Sequence, residues 1–149
     1  LPVFADPAST SLAARLEPYF SQLSMLIPNS AEAAYYCQAE IDVADQRNSV
    51  ETAKCWVAKG VDLAIITLAE AGVCYATSET SGYIRTIQTD IADPTGAGDA
   101  LSAALIFALM NDIPLDDAVR LGVAAASLTL RHPGAVLEDL SLEMLYNQL

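Results

Sequence analysis

The apolar positions change period several times along the chain, and each change marks an element. Leu1–Ala5 is an apolar run that ends at Asp6-Pro7, which predicts a strand entering a loop. Leu12, Leu16, Tyr19 and Phe20 recur at helical spacing on one face, so a helix is expected over Leu12–Phe20 with Ser9 or Thr10 as its cap. Met25-Leu26-Ile27, closed by Pro28-Asn29, reads as a second short strand running into a turn. Two helical stretches follow, Ala31–Glu40 and Ser49–Lys59, the second stopped by Gly60 just past its end.

Leu63–Leu68 is an almost unbroken apolar run of the kind found in strands covered on both faces. Beyond Ala69–Gly72, Val73–Ala76 and Tyr83–Ile87 are further strand candidates, and Ser78–Gly82 between them reads as a hairpin connection. Gly96–Met110 and Leu115–Leu130 are two long, Ala-rich helices. The first is apolar around most of its circumference, which predicts burial on nearly all sides. A short helix is expected over Leu142–Gln148. Strands alternating with helices, plus a small antiparallel portion, predict an α/β layered architecture with a mainly parallel sheet, forming one domain or most of one.

Composition narrows the classes. With 149 residues and 53% hydrophobic content, the chain can bury a sizeable core and is not a disordered segment. Only 7 Lys and Arg stand against 19 Asp and Glu, a net charge of −12. That balance argues against a nucleic-acid or anionic-membrane binder, but not against a phosphate ligand, because backbone dipoles and cations can hold one locally. The longest uninterrupted apolar run lies inside Ala100–Met110, short of the ~20 residues a bilayer requires. No signal peptide is expected. Cys37, Cys55 and Cys74 are odd in number and widely spaced, which favours buried small hydrophobes over a metal site or disulfide framework. An intracellular, cytoplasmic setting fits that usage. Leu1 begins directly on an apparent strand and reads as the cut edge of a longer protein.

The chemistry concentrates in Asp93-Pro94-Thr95-Gly96-Ala97-Gly98-Asp99, between a β region and a very apolar helix. Thr95 or its neighbour is expected to cap that helix, while Gly96 and Gly98 let backbone N–H groups approach a ligand unobstructed. Those donors and the positive end of the helix dipole suit a phosphoryl group. Asp99, in the first turn, is placed to accept the proton of an attacking hydroxyl. The simpler reading is a glycine-rich turn with a charge-favourable Asp. No Lys-Ser/Thr pair follows, so this is not a Walker A loop, and Leu101 stands where a dinucleotide fingerprint needs its third glycine.

Taken whole, Asp93–Asp99 and the Ala-rich helix after it resemble the C-terminal signature of the ribokinase-like (PfkB) carbohydrate and nucleoside kinases. The resemblance implies a three-layer α/β/α fold, of which this chain would be the C-terminal portion, without the N-terminal half and its lid. It implies Asp99 as catalytic base, and Gly96, Ala97 and Gly98 as anion hole. It also implies a monovalent-cation loop, possible for K+, around Asp93, Thr95 and Gly134 of Arg131-His132-Pro133-Gly134-Ala135. Asn29-Ser30-Ala31-Glu32 matches the family's N-x-x-E motif, which tunes Mg2+ and phosphate largely through water. An ordinary helix capping box explains it equally well, and Asn48-Ser49-Val50-Glu51 repeats the pattern. Thr67-Leu68-Ala69-Glu70-Ala71-Gly72 resembles the family's T-L-G-x-x-G segment, implying nucleotide contacts for Thr67 and Gly72, with Ala69 replacing the first glycine. A plain β-turn is the competing account.

Within the family, Pro2–Pro7 with Ser9-Thr10, Pro28–Ala33 and Asp93–Leu109 resemble pseudouridine kinases. The implied activity is transfer of the ATP γ-phosphate, with Mg2+, to the 5′-hydroxyl of pseudouridine or a related nucleoside or sugar. Implied partners are those substrates, the N-terminal half of the same kinase, and a fused or separate pseudouridine-5′-phosphate glycosidase. Two other classes remain open: a non-catalytic nucleotide-binding or interaction module of this fold, and, more weakly, a dinucleotide-binding oxidoreductase. His132 has no apparent partners for catalysis. Arg47, Lys54 and Lys59 read as solvated helix-face charges, and Trp56 as core.

Overall fold

Short runs rich in apolar residues supply a five-stranded sheet in the order β1-β2-β3-β4-β5: β1 Phe4–Ala5, β2 Met25–Leu26, β3 Leu63–Thr67, β4 Val73–Ala76 and β5 Ser81–Ile84. The computed structural model describes residues 1–37 and 41–149. β1 pairs parallel with β2, Phe4 opposite Met25, and β2 pairs parallel with β3, Met25 opposite Leu63. β4 returns antiparallel along β3, from Ala64 opposite Ala76 to Thr67 opposite Val73. The expected α/β class with a mainly parallel sheet and an antiparallel portion is therefore observed. β3 is central, and Leu63, Ala64, Ile65 and Ile66 are all buried. Coverage of both faces explains why its sequence is continuously apolar rather than alternating. β5 begins earlier than its apolar pattern predicts: it spans Ser81–Ile84, because the turn closes over Thr77–Thr80, where the Thr77 N–H donates to the Thr80 carbonyl at 2.8 Å.

The chain divides into two compact units, Leu1–Tyr83 and Ile84–Leu149. In the first, the expected helix over Leu12–Phe20 is broken. α1 covers only Thr10–Ala13, capped by the Ser9 side chain accepting from the Leu12 N–H, and a 3-10 segment follows over Glu17–Gln22. Pro18 is the reason: it has no N–H to donate, and its ring would collide with the carbonyl a turn earlier. α2 spans Ser30–Cys37, and the last three residues of the expected helix, 38–40, lie outside the described residues. α3 spans Gln46–Ala58, starting earlier than its apolar pattern, because the Asp45 carboxylate accepts from the Arg47 and Asn48 N–H groups. Gly60, at φ +109°, ends it as expected.

The core of this unit gathers three rings. Phe20 lies 5.3 Å from both Tyr36 and Trp56, centroid to centroid, and Tyr36 meets Trp56 edge-on at 4.5 Å. Trp56 is 1% exposed, so it is core as expected. Burial pushes the Tyr36 phenol up to about 12. The cysteines depart from expectation: Cys74 is buried, but Cys37 is half-buried and Cys55 exposed, all with free thiols.

The second unit is built on α4 Ala97–Met110 and α5 Leu115–Leu130, with α6 Leu142–Tyr146 against α5. Burial of α4 on nearly all sides does not occur. Only Leu101, Leu105 and Ala108, one stripe at helical spacing, are buried, while Phe107 and Met110 are exposed. The enclosed helix is α5, buried at Ala118, Val119 and Leu121–Ala125. Its Gly122 permits the close crossing, since a Cβ there would stand 3.0 Å from the Leu101 carbonyl oxygen. Hydropathy reports what a surface can tolerate; neighbours decide what is covered. Among the described residues no helix is long and apolar enough to cross a membrane.

Trp56→Ala removes the ring that both Phe20 and Tyr36 contact. A loss of about 3–5 kcal/mol in unfolding free energy is expected by denaturant titration, and a loss under about 1 kcal/mol would place the core elsewhere.

Candidate active site

The sequence-predicted site residues fall into two groups, one in each unit. In the first unit, β2 ends at a turn and α2 starts there. The Asn29 side chain accepts from the Glu32 N–H at 2.9 Å, and Glu32 Oε2 accepts from the Asn29 N–H at 2.9 Å. This is the capping box that the spacing allows. It also leaves Glu32 only 3% exposed, an unusual setting for a first-turn carboxylate. The Thr67 N–H donates to the Pro28 carbonyl at 3.0 Å, and Thr67 bridges Asn29 in parallel fashion. The parallel pairing of β2 and β3 thus brings Asn29, Glu32 and Thr67 to the same sheet end. The second N-x-x-E lies inside α3, where Asp45 already caps, and its Glu51 makes only an exposed pair with Lys54 at 2.8 Å.

Past Thr67 the chain makes a single 3-10 turn, Ala69–Ala71, closed by the Leu68 N–H donating to the Gly72 carbonyl at 2.8 Å. Gly72 has φ +135°, and Ala69 has φ +50°. The alanine that replaces the expected first glycine therefore occupies the left-handed region that favours glycine.

In the second unit, the Ala92 and Asp93 N–H groups both donate to the Leu130 carbonyl, tying the loop to the end of α5. Asp93 Oδ1 accepts from the Thr95 N–H at 2.8 Å. The Thr95 hydroxyl and the Gly134 N–H add to this, and these bonds, Thr95's foremost, hold the Asp93 carboxyl below the usual carboxylate range. Asp93, Thr95 and Gly134 are thus brought together. The cap of α4 is Gly96 rather than Thr95: it sits at φ +82°, with no side chain capping the helix. A Cβ on Gly96 would lie 1.9 Å from the Ala135 carbonyl oxygen, so loop and Arg131–Ala135 segment touch backbone to backbone. Gly98 faces open space, and Asp99 is exposed in the first turn. Uncapped first-turn amides, an unobstructed glycine and an exposed carboxylate form a surface that can take an anion beside a base.

A depression of about 520 Å3 is lined by Gln88, Thr89, Asp90, Ile91, Ala92 and Arg131. Of these, only Arg131 belongs to a motif that the sequence singles out; the others lead into Asp93 without a motif of their own. His132 has its Nδ1 buried without a hydrogen-bond partner among the described residues. No cluster of three or more His, Cys, Asp or Glu suited to a metal ion occurs among the described residues.

Comparison with known proteins matches residues 1–141 to the family described as pfkB family carbohydrate kinase. The ribokinase of Haemophilus influenzae is 29% identical over 133 residues, covering 89% of this chain and 42% of that protein. The pseudouridine kinase of Escherichia coli is 27% identical over 143 residues, covering 95% of this chain and 45% of that protein. Among solved structures, the ribokinase of Thermotoga maritima superposes with a TM-score of 0.80 at 25% identity, over 99% of this chain and 48% of that one. Phosphofructokinase-2 from Escherichia coli in complex with potassium gives 0.82 at 22% identity, over 98% and 46%. The fold is therefore ribokinase-like, and the chain spans less than half the length of the curated relatives it matches.

Two substitutions test the backbone of the site. Ala69→Gly relieves a left-handed alanine and is expected to raise stability by about 1 kcal/mol; thermal unfolding reads it, and a destabilised variant would contradict the assigned turn. Gly96→Ala meets the Ala135 carbonyl and adopts positive φ, so a loss of at least about 2 kcal/mol is expected in the same measurement.

Proposed function

The chain belongs to the pfkB family of carbohydrate kinases, and from that membership we propose that it is the C-terminal, catalytic portion of an ATP-dependent kinase acting on a hydroxymethyl group of a nucleoside or sugar. The observation that carries this reading is the opening of α4, where Gly96 is held against Ala135 and Asp99 stands exposed over uncapped amides. Gly96, Ala97 and Gly98 present N–H groups to the transferring phosphoryl group. Asp99 accepts the proton of the acceptor hydroxyl. Such a site stabilises charge by fixed dipoles rather than by Lys or Arg, so a net charge of −12 is compatible with binding a nucleotide.

Mg2+ bound with ATP would supply neutralisation of the phosphate charge. The donor set fits that role: Glu32 is a single buried carboxylate already bonded to the Asn29 N–H, suited to acting through water rather than as one wall of a carboxylate cage. Asn29 and Glu32 are assigned to tuning the ion and phosphates, and Thr67 and Gly72 to the nucleotide. Asp93, Thr95 and Gly134 are assigned to a loop that K+ would steady; the carboxylate held ionised by Thr95 and Gly134 supports this.

Pseudouridine is the proposed acceptor, with the 5′-hydroxyl as the group phosphorylated. Ribose is the main competitor, since ribokinase and pseudouridine kinase relatives match comparably. The remaining partner would be the N-terminal half of the same kinase, supplying the lid and most of the acceptor site. A pseudouridine-5′-phosphate glycosidase, fused or separate, would act on the product.

In the complete protein, Asp99→Asn is expected to reduce turnover by at least about 100-fold while leaving ATP affinity nearly intact. Turnover with pseudouridine and ribose, alongside ATP binding by calorimetry, separates the outcomes. Unchanged turnover removes Asp99 from the base role. ATP binding without turnover of either acceptor favours a non-catalytic nucleotide-binding module.

A further inference from the structure

The chain reaches the opening of α4 through residues 88–92, which belong to no helix or strand, so their path has to be fixed by bonds to other segments. Two sets of bonds fix it, and both start from the end of α5. The Leu130 carbonyl accepts from the Ala92 and Asp93 N–H groups at 2.8 and 3.3 Å. The next residue, Arg131, reaches the same stretch with its side chain: Nε donates to the Thr89 hydroxyl. The guanidinium is held from its other end, Nη2 donating to the Ser127 hydroxyl at 3.3 Å and to Gln148 Oε1 at 3.0 Å. One planar group therefore joins the incoming loop, the last turn of α5 and the segment beyond α6, with a neutral oxygen at each contact. A lysine ammonium, a point charge on a flexible stem, cannot hold three separated acceptors in fixed directions as this fork does.

We propose that Arg131 is a positioning residue, which sets the Asp93–Asp99 loop for phosphoryl transfer by fixing the approach through Thr89. The inference rests on the reading of that loop as the transfer site. Arg131 acts through the backbone it holds. Four residues after Thr89, Asp93 Oδ1 accepts from the Thr95 N–H at 2.8 Å. Gly96 then packs on the Ala135 carbonyl, and Asp99 follows in the first turn of α4. A slack approach would shift the Asp93 carboxylate and the α4 amides together. Arg131 is itself exposed, so the bonds to Ser127 and Gln148 are what keep its guanidinium from swinging into solvent. Misplacing reacting groups by about 1 Å costs roughly 100-fold in rate, far more than the loss of one exposed hydrogen bond costs in folding.

The test compares Arg131→Met, Arg131→Lys, Thr89→Val and the double variant Arg131→Met/Thr89→Val in the complete protein, by turnover and by hydrogen–deuterium exchange. For Arg131→Met a fall in kcat of about tenfold is expected, with KM for ATP within about twofold. Exchange across residues 89–99 should quicken, and Arg131→Lys should rescue neither. Thr89→Val should give part of the loss, and the double variant no more than Arg131→Met, because both changes break one bond. Arg120→Met removes another exposed arginine of α5, paired with Asp116 at 2.8 Å, and should change neither readout. Unchanged kcat, a loss confined to KM, unchanged exchange over 89–99 or full activity of Arg131→Lys would overturn the proposal. Should the unaltered protein turn over neither pseudouridine nor ribose, the kinase reading fails by itself, and exchange alone decides whether Arg131 holds the loop. Should Arg131→Met fold poorly, Thr89→Val decides by the same two readouts.

Discussion

The opening of α4 depends on one close approach. Gly96 lies so near the Ala135 carbonyl that a methyl group would fall 1.9 Å from its oxygen, and its φ of +82° independently calls for glycine. Because the cap is a glycine, no side chain takes up the first-turn amides. Ser9, Asp45 and Ser141 cap α1, α3 and α6 with their own oxygens, and Asn29 does the same for α2. α4 is thus started by backbone packing instead of by a side chain, which leaves its donors for another acceptor.

The group of predicted residues in the first unit is assembled by parallel pairing. β2 and β3 run side by side and end together, so a turn after one and the last residue of the other become neighbours: Thr67 bridges Asn29. Ligand-binding segments of α/β sheets gather at the carboxyl ends of strands for this reason. Glu32 combines two features in that setting. Its bond to the Asn29 N–H is an ordinary helix start, while its burial gives the carboxylate a setting that a surface capping box lacks.

Much of this was legible from residue patterns. α5 and β4 coincide with their predicted spans, β3 does so nearly, and Gly60 ends α3. The Asp93–Asp99 string pointed to the α4 loop because seven adjacent residues carry their own geometry. The failures were of two kinds. Some were local chemistry outvoted by periodicity: Pro18 breaks the expected first helix, and Asp45 starts α3 before its apolar face begins. Others concerned burial. α4 is the more apolar helix, yet α5 is the enclosed one, and Cys55 is exposed although a buried thiol was expected.

What the sequence determined by itself is whatever follows from neighbours along the chain: strand and helix types, glycine and proline stops, the family signature, and a strongly acidic net charge. Only the tertiary structure decided what depends on partners far apart in sequence. It put the Ala135 carbonyl against Gly96 and Thr67 beside Asn29. It also showed Ala69 in a conformation that glycine would hold more comfortably. Spacing encodes the period of an element but not the identity of what packs on it, because burial and close approach are properties of pairs.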